Sequence, residues 1–425
     1  MLVIVQRLAK KHGEVLKLVS FGGGVAAFSF AANFLLARYL PTSDYGFFSW
    51  CLFISQLFFV FSAFGMDRTL VPDLVQSEDK KTLISGSLLL NLVAGSISLP
   101  PILYFIWAQS ETFSQSITAV AIVVTGILLA ASPKAVYDAS RKMSSHASMI
   151  LAEKGIYMLS VAVVLFLAEP EHAFVWVAVA LCATRVVSFV MQWSKATIWP
   201  GGSIEQAGKS LAGLFQRNFL VFIACCFSVL ITHAAPLILK DQLGSSAMAC
   251  YAIAFQFSLL TQLVISQTTR LEAPTIASAV LRPEPIRPMI WKMLMHSSLV
   301  SAGVSIAIGI VGSLTIYYFL PVALHPGIPV LWVISIWSTA LGPGRIVNQF
   351  TVSMGLNRQY LAATILSGLI AVGLGYFLIQ AFGVVGCAIN LLVSHMVGIM
   401  TQITAVLGAA TKRDEDIAKP RTLEA

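Results

Sequence analysis

"LLARYLPTSDYGFF", Leu35 to Phe48, is a short polar corner in a chain that is apolar almost end to end. The second half of the chain repeats it. "LILKDQLGSSAMACY", Leu237 to Tyr251, sets Leu243-Gly244 where the first copy has Leu40-Pro41, and Ala247-Met248-Ala249-Cys250-Tyr251 where it has Asp44-Tyr45-Gly46-Phe47-Phe48. Such a match implies two copies of one architectural unit, each opening with two helices joined at that corner.

Composition says what kind of helices these are. Of 425 residues, 57% are hydrophobic and 11% charged, with a mean hydropathy of +0.83, whereas soluble domains carry about 25% charged residues. This is an all-α polytopic membrane protein, because a helix that satisfies its own backbone needs about 20 apolar residues to cross a bilayer. Apolar runs predict twelve spans near 18–38, 46–66, 83–106, 117–137, 148–168, 172–193, 218–239, 247–269, 293–320, 328–350, 360–381 and 384–406. The N-terminal "MLVIVQRLAKKHGEVLKLVS" has its apolar run before its basic residues, the reverse of a secretory signal, and reads as a retained leader. The longest central polar interruption, Ser194 to Asn218, turns at Pro200, Gly201 and Gly202. The expected organisation is a leader (1–17), a six-helix lobe (18–193), a linker (194–217), a second six-helix lobe (218–406) and a tail (407–425).

Lys and Arg collect in cytoplasmic loops and orient the chain. With the N-terminus inside, the exported loops "AQSETFSQS", "AEPEHA", "PVALHPGI" and "QAFG" hold no Lys or Arg. Apart from the deeply embedded Arg185 and Arg345, only Arg38 and Lys240 fall on the exported side, so both termini are expected in the cytoplasm. The net charge of +8 is thus mostly topology, suits an anionic inner leaflet and needs no nucleic-acid partner. The six cysteines lie in or beside spans without metal-ligand spacing and read as small apolar residues. No metal or cofactor is expected.

The fourth and tenth spans also correspond. "AASPKAVYDASRK", Ala130 to Lys142, puts Lys134 after Pro133, and "ALGPGRIVNQF", Ala340 to Phe350, puts Arg345 two residues after Pro343. Proline removes a backbone donor and clashes with the preceding turn, so both helices are expected to break or kink there. Interrupted helices at matching places in two halves point to a transporter's binding site. Six spans per half, both starting inside, make the repeats parallel.

An embedded cation costs about 2.5–3.5 kcal/mol or more at the bilayer centre and therefore faces a watery cavity or a partner. Arg185 and Arg345 are the deepest; Lys134, Arg68 and Arg270 lie nearer the inner edge, where long basic side chains also reach the interface by themselves. For each, a substrate contact stands beside an interhelix pair or snorkelling. Asp138, Glu153 and Asp241 all fall near span ends, so no carboxylate is expected at mid-membrane, which favours an anionic substrate over a cation. Paired cations suit a diphosphate, whose oxygens accept from several donors. His233 and His395 lie within spans, as packed histidines or as proton-linked groups. Arg38 and Lys240 read as caps of helix C-termini or as guides for a departing anion.

The motifs in order resemble those of the Wzx-type polysaccharide flippases of the multidrug/oligosaccharidyl-lipid/polysaccharide exporter superfamily. "LARYLPTSDYGFFSW" is similar to that family's first corner, "GSSAMACYAIAFQ" to its second-half version with Ala249 for the usual glycine, and "SMGLNRQYLAATILSG" and "FGVVGCAINLLVSH" to its entries into the eleventh and twelfth helices. The resemblance runs from about Lys17 to Leu407. It implies a transporter that moves an undecaprenyl-diphosphate-linked oligosaccharide across the bacterial inner membrane by alternating access through a cationic cavity, for O-antigen, capsule or exopolysaccharide synthesis. It also implies membrane lipids as partners, with a polysaccharide polymerase and a chain-length regulator alongside; coupling to protons or sodium stays open. Lys134, Arg185 and Arg345 come from this sequence's own pattern, since family members place their cavity cations differently. Two alternatives stand. One is a multidrug efflux pump of the same superfamily. The other is a membrane-embedded glycan polymerase or ligase, which needs a larger exported loop than any here.

Overall fold

The computed structural model describes the backbone of residues 2–110, 112–282 and 284–418, and side chains from 17 to 415 except 19, 111, 170–171, 204, 267–268, 270–271, 273–274, 277, 281 and 283. The helices are α1 (Leu2–Tyr39), α2 (Thr42–Ala63), α3 (Met66–Gln76), α4 (Lys80–Gln109), α5 (Phe113–Ala130), α6 (Lys134–Ala139), α7 (Met143–Leu167), α8 (Pro170–Ser194), α9 (Ile204–Leu281), α10 (Arg287–Phe319), α11 (Gly327–Ser353) and α12 (Asn357–Ala418). Among the described residues, ten helices are long and apolar enough to cross a membrane. Two of these, α9 and α12, are each a pair joined where a glycine leaves helical geometry, at Gly244 (φ 80°) and Gly383 (φ 60°). Counted so, the described residues hold twelve candidate spans, the number the apolar runs predict.

The repeated corner is turned by two different means. Pro41 is extended (φ −51°, ψ 139°) and separates α1 from α2. Gly244, at the matching place, turns the chain with a positive φ that L side chains rarely adopt. Arg38 is exposed in the last turn of α1, its guanidinium 5.6 Å from the centre of the Tyr39 ring. Lys240, by contrast, is buried (7% exposed). That leaves it ill-placed to guide a departing anion.

The chain divides into two compact units, Met1–Val229 with Leu243–Ala249, and Leu230–Gln242 with Cys250–Ala425. In the first, α2 turns into α3 through two left-handed residues, Phe64 and Gly65. The Phe64 ring stacks on Phe222 (4.3 Å) and Phe215 (5.0 Å) of α9. Arg217 donates to Asp73 at 2.9 Å, and Thr69 donates to the Asn218 side chain. These contacts tie the start of α9 to α3, and residues 204–217 are helix. Residues 243–249 close on α2 so tightly that a Cβ on Gly46 would overlap the Ser245 carbonyl.

In the second unit, α10 presents Ser297, Ser301, Ser305 and Gly309, one every fourth residue and therefore on one face, toward α11. Small residues let membrane helices approach closely. Gly342 of α11 sits against Ser297 and Ser301. The end of α12 completes the unit, where the Asp414 carboxylate accepts the backbone N–H groups of Ile286 (3.0 Å) and Arg287 (3.4 Å) at the start of α10. Residues 407–418 are thus a helical extension that caps a neighbour. Asp414→Ala is expected to lower the stability of the detergent-extracted protein by about 1 kcal/mol, as loss of an N-cap does; an unchanged thermal midpoint would show that the cap contributes nothing.

Candidate functional site

The predicted break in the fourth span is present. Helix α5 ends at Ala130, Pro133 lies outside helical geometry (φ −74°, ψ 20°), and α6 restarts at Lys134. A break inside an apolar bundle exposes carbonyls that water cannot reach, so side chains must meet them. Asn91 of α4 donates to the Ala130 carbonyl at 3.0 Å, and the Trp193 indole of α8 donates to that of Ala131 at 3.0 Å. The Ser132 hydroxyl donates to Gln192 at 2.8 Å, and Tyr137 of α6 donates to the Gln192 carbonyl at 2.7 Å.

From Gln192 the polar chain runs deeper. The Gln192 amide donates to the Ser188 hydroxyl (2.9 Å), which donates to Glu153 Oε2 of α7 (2.6 Å). Glu153 Oε1 lies 3.4 Å from Arg185 Nε and 3.5 Å from Lys154 Nζ. The side chain of Glu153 is 3% exposed, and it lies near the middle of α7 rather than near a span end as expected. The apolar run starts near 148, but the helix starts at Met143 and places Glu153 well inside it. Glu153 and Lys154 are the functional candidates that sequence reasoning misses. The signal that would have found them is an acid in one span facing a base in the next across a short corner.

Arg345 lies in the second unit, half-buried, its Nη1 3.5 Å from the Gln262 carbonyl of α9. His395 is within electrostatic range of it and meets the Trp337 ring edge to face at 5.8 Å. Trp337 stacks on Phe255, and Phe255 on Tyr251, so an aromatic column leads from the second copy of the corner toward Arg345. Contrary to expectation, α11 runs unbroken through Pro343. Gly342, beside it, packs against Ser297 and Ser301 of α10.

The other predicted residues fall elsewhere. Lys134 is exposed at the first position of α6, and Arg68 is exposed on α3. Arg270 lies outside the described side chains. His233 is half-buried with its Nδ1 2.6 Å from the Thr232 hydroxyl. The geometry therefore joins Arg185 to an acid and a second base, and Arg345 to a histidine and an aromatic column. It ties only one of the two prolines to a break.

The sequence profile of the polysaccharide biosynthesis protein family matches residues 14–280. The chain belongs to that family. Among solved structures, the chain is similar to an inward-facing multidrug resistance MATE family transporter of the MOP superfamily (TM-score 0.68, 13% identity, covering 94% of this chain and 99% of that one). It is also similar to the lipid II flippase MurJ in an inward closed conformation (0.62, 14%, 94% and 90%) and to an outward-facing MATE transporter (0.62, 13%, 95% and 96%). These likenesses show a shared two-lobed helical fold. No curated protein matches the sequence. The protein is thus a multi-pass membrane protein with a fold like that of MATE transporters and MurJ.

Proposed function

We propose that this protein is a flippase that moves an undecaprenyl-diphosphate-linked oligosaccharide across the bacterial inner membrane, for O-antigen, capsule or exopolysaccharide assembly. The observation that carries this reading is the excess of cations over acid in the first unit, where the half-buried Arg185 and Lys154 share one carboxylate. Membership of a polysaccharide biosynthesis family and a fold shared with a lipid II flippase support it. Arg185 and Lys154 hold the diphosphate, and the polyprenyl tail stays in lipid. The substrate biases the inward and outward states through its different affinity for each.

The test is export in a deletion strain. Arg185→Gln and Arg345→Gln, at normal protein abundance, are each expected to reduce surface glycan about tenfold or more, since a hydrogen bond to a charged group contributes about 1.5–3 kcal/mol. Lipid-linked precursor should accumulate. Wild-type export by both variants would sink the assignment.

Glu153 favours one second reading, because a buried carboxylate is what an exporter of organic cations needs. Two bases already neutralise it, which weighs against that role. Restoration of drug resistance, but not of glycan export, in the complemented deletion strain would reverse the order of the two readings.

A further inference from the structure

The charges of the Glu153 cluster do not balance. One carboxylate faces two cations, and both approach the same oxygen, Oε1, at 3.4 and 3.5 Å. That is longer than a well-formed charge-assisted hydrogen bond of about 2.7–2.9 Å. The other oxygen is held firmly by Ser188 at 2.6 Å. Among the described residues, Arg185 Nε is buried with no hydrogen-bond acceptor. The cluster therefore carries one uncompensated positive charge and an unused guanidinium donor, in surroundings where either is costly. It lacks one anion.

Neither cation turns to lipid. On α7 the exposed Ile156, Leu159 and Val163 form one apolar stripe. At about 100° per residue, Lys154 falls on the opposite side of the helix. On α8 the exposed stripe is Val179, Val187 and Val190, and Arg185 again lies across from it. Their side chains keep 18% and 15% of their surface, whereas Glu153 keeps 3%, so the cations are reachable and the acid lies behind them.

We propose that Glu153 is a built-in stand-in for the substrate's phosphate. In the empty protein its carboxylate occupies Arg185 and Lys154. A phosphate oxygen of the incoming headgroup takes that place on both cations, while Ser188 keeps the displaced carboxylate. No bond is made or broken; partners are exchanged. The two loose contacts through Oε1 are the ones surrendered, and the tight one through Oε2 is kept. The arrangement selects for charge, because a singly charged anion replaces Glu153 at no gain, whereas a diphosphate brings several acceptor oxygens and more than one charge to two donors. This inference rests on the reading of Arg185 as a headgroup contact.

The test uses the full chain in detergent micelles at constant ionic strength, with inorganic diphosphate as probe and binding read from the rise in thermal midpoint with probe concentration. Glu153→Gln removes the competing anion and is expected to bind diphosphate about tenfold more tightly than wild type, which is about 1.4 kcal/mol, even though its midpoint without probe is lower. Arg185→Gln is expected to lose binding. Equal or weaker binding by Glu153→Gln, with loss in Arg185→Gln, overturns the stand-in role and leaves the headgroup contact intact. Absence of binding in wild type and Glu153→Gln alike overturns both. If Glu153→Gln does not accumulate, Glu153→Asp is read instead, since it keeps the charge and withdraws the carboxylate by one methylene. A gain in affinity is then expected, and no gain overturns the proposal.

Discussion

Gly342→Leu is expected to leave little folded protein in the membrane. A Cβ at Gly342 would overlap the Ser301 hydroxyl and lie 2.7 Å from Ser297 Oγ and 2.8 Å from the Ser297 carbonyl. A hydroxyl can rotate away, but the carbonyl belongs to a helix backbone and can yield only if α10 and α11 separate. Overpacking of this kind costs about 1–3 kcal/mol and occasionally more, and here it pushes apart two helices packed through small residues. We expect a loss of about 3 kcal/mol or more, the upper end of that range. Gly303→Leu is the control: Gly303 lies on α10 as well, but a Cβ there meets nothing within 4 Å. Comparable yields and thermal midpoints for the two variants would mean that the small-residue seam does not hold the second unit together.

The second large effect is an asymmetry at the buried charges. Glu153→Leu leaves Arg185 and Lys154 facing each other without an anion, and breaking a buried pair in this way costs about 3–5 kcal/mol. Arg185→Leu leaves Glu153 opposite Lys154, a neutral pair, so its cost should be nearer that of one hydrogen-bonded contact, about 1–3 kcal/mol. The double variant restores the wild-type net charge and should be less destabilised than the sum of the two. Denaturation of the four proteins in detergent checks the order. Equal costs for the single variants would show that Lys154 does not share the carboxylate.

Much of the fold is legible in the chain because the bilayer imposes a length and prolines and glycines punctuate it. The corners at Pro41 and Gly244 and the break at Pro133 need no tertiary contact to be foreseen. Pro343 looks the same in sequence, yet α11 continues through it, and the residues packed beside it, Ser297 and Ser301, are far from it in the chain. Glu153 escapes sequence reasoning for a local reason. The first turns of α7, "MSSHAS", are too polar to be recognised as part of a span, so the acid behind them looks like a residue at an edge.

The placement of these charges also bears on how the protein is made. As α7 leaves the ribosome it carries Glu153 and Lys154, whose partner Arg185 has yet to be synthesised. A charged residue mid-helix adds about 2.5–3.5 kcal/mol to the cost of entering lipid on insertion scales. Helix α7 ends at Leu167 and α8 begins at Pro170, so the two form a hairpin with almost no connecting loop. The favourable course is for α7 to wait at the translocon until α8 arrives, and for the two to enter the bilayer together with acid and bases already joined.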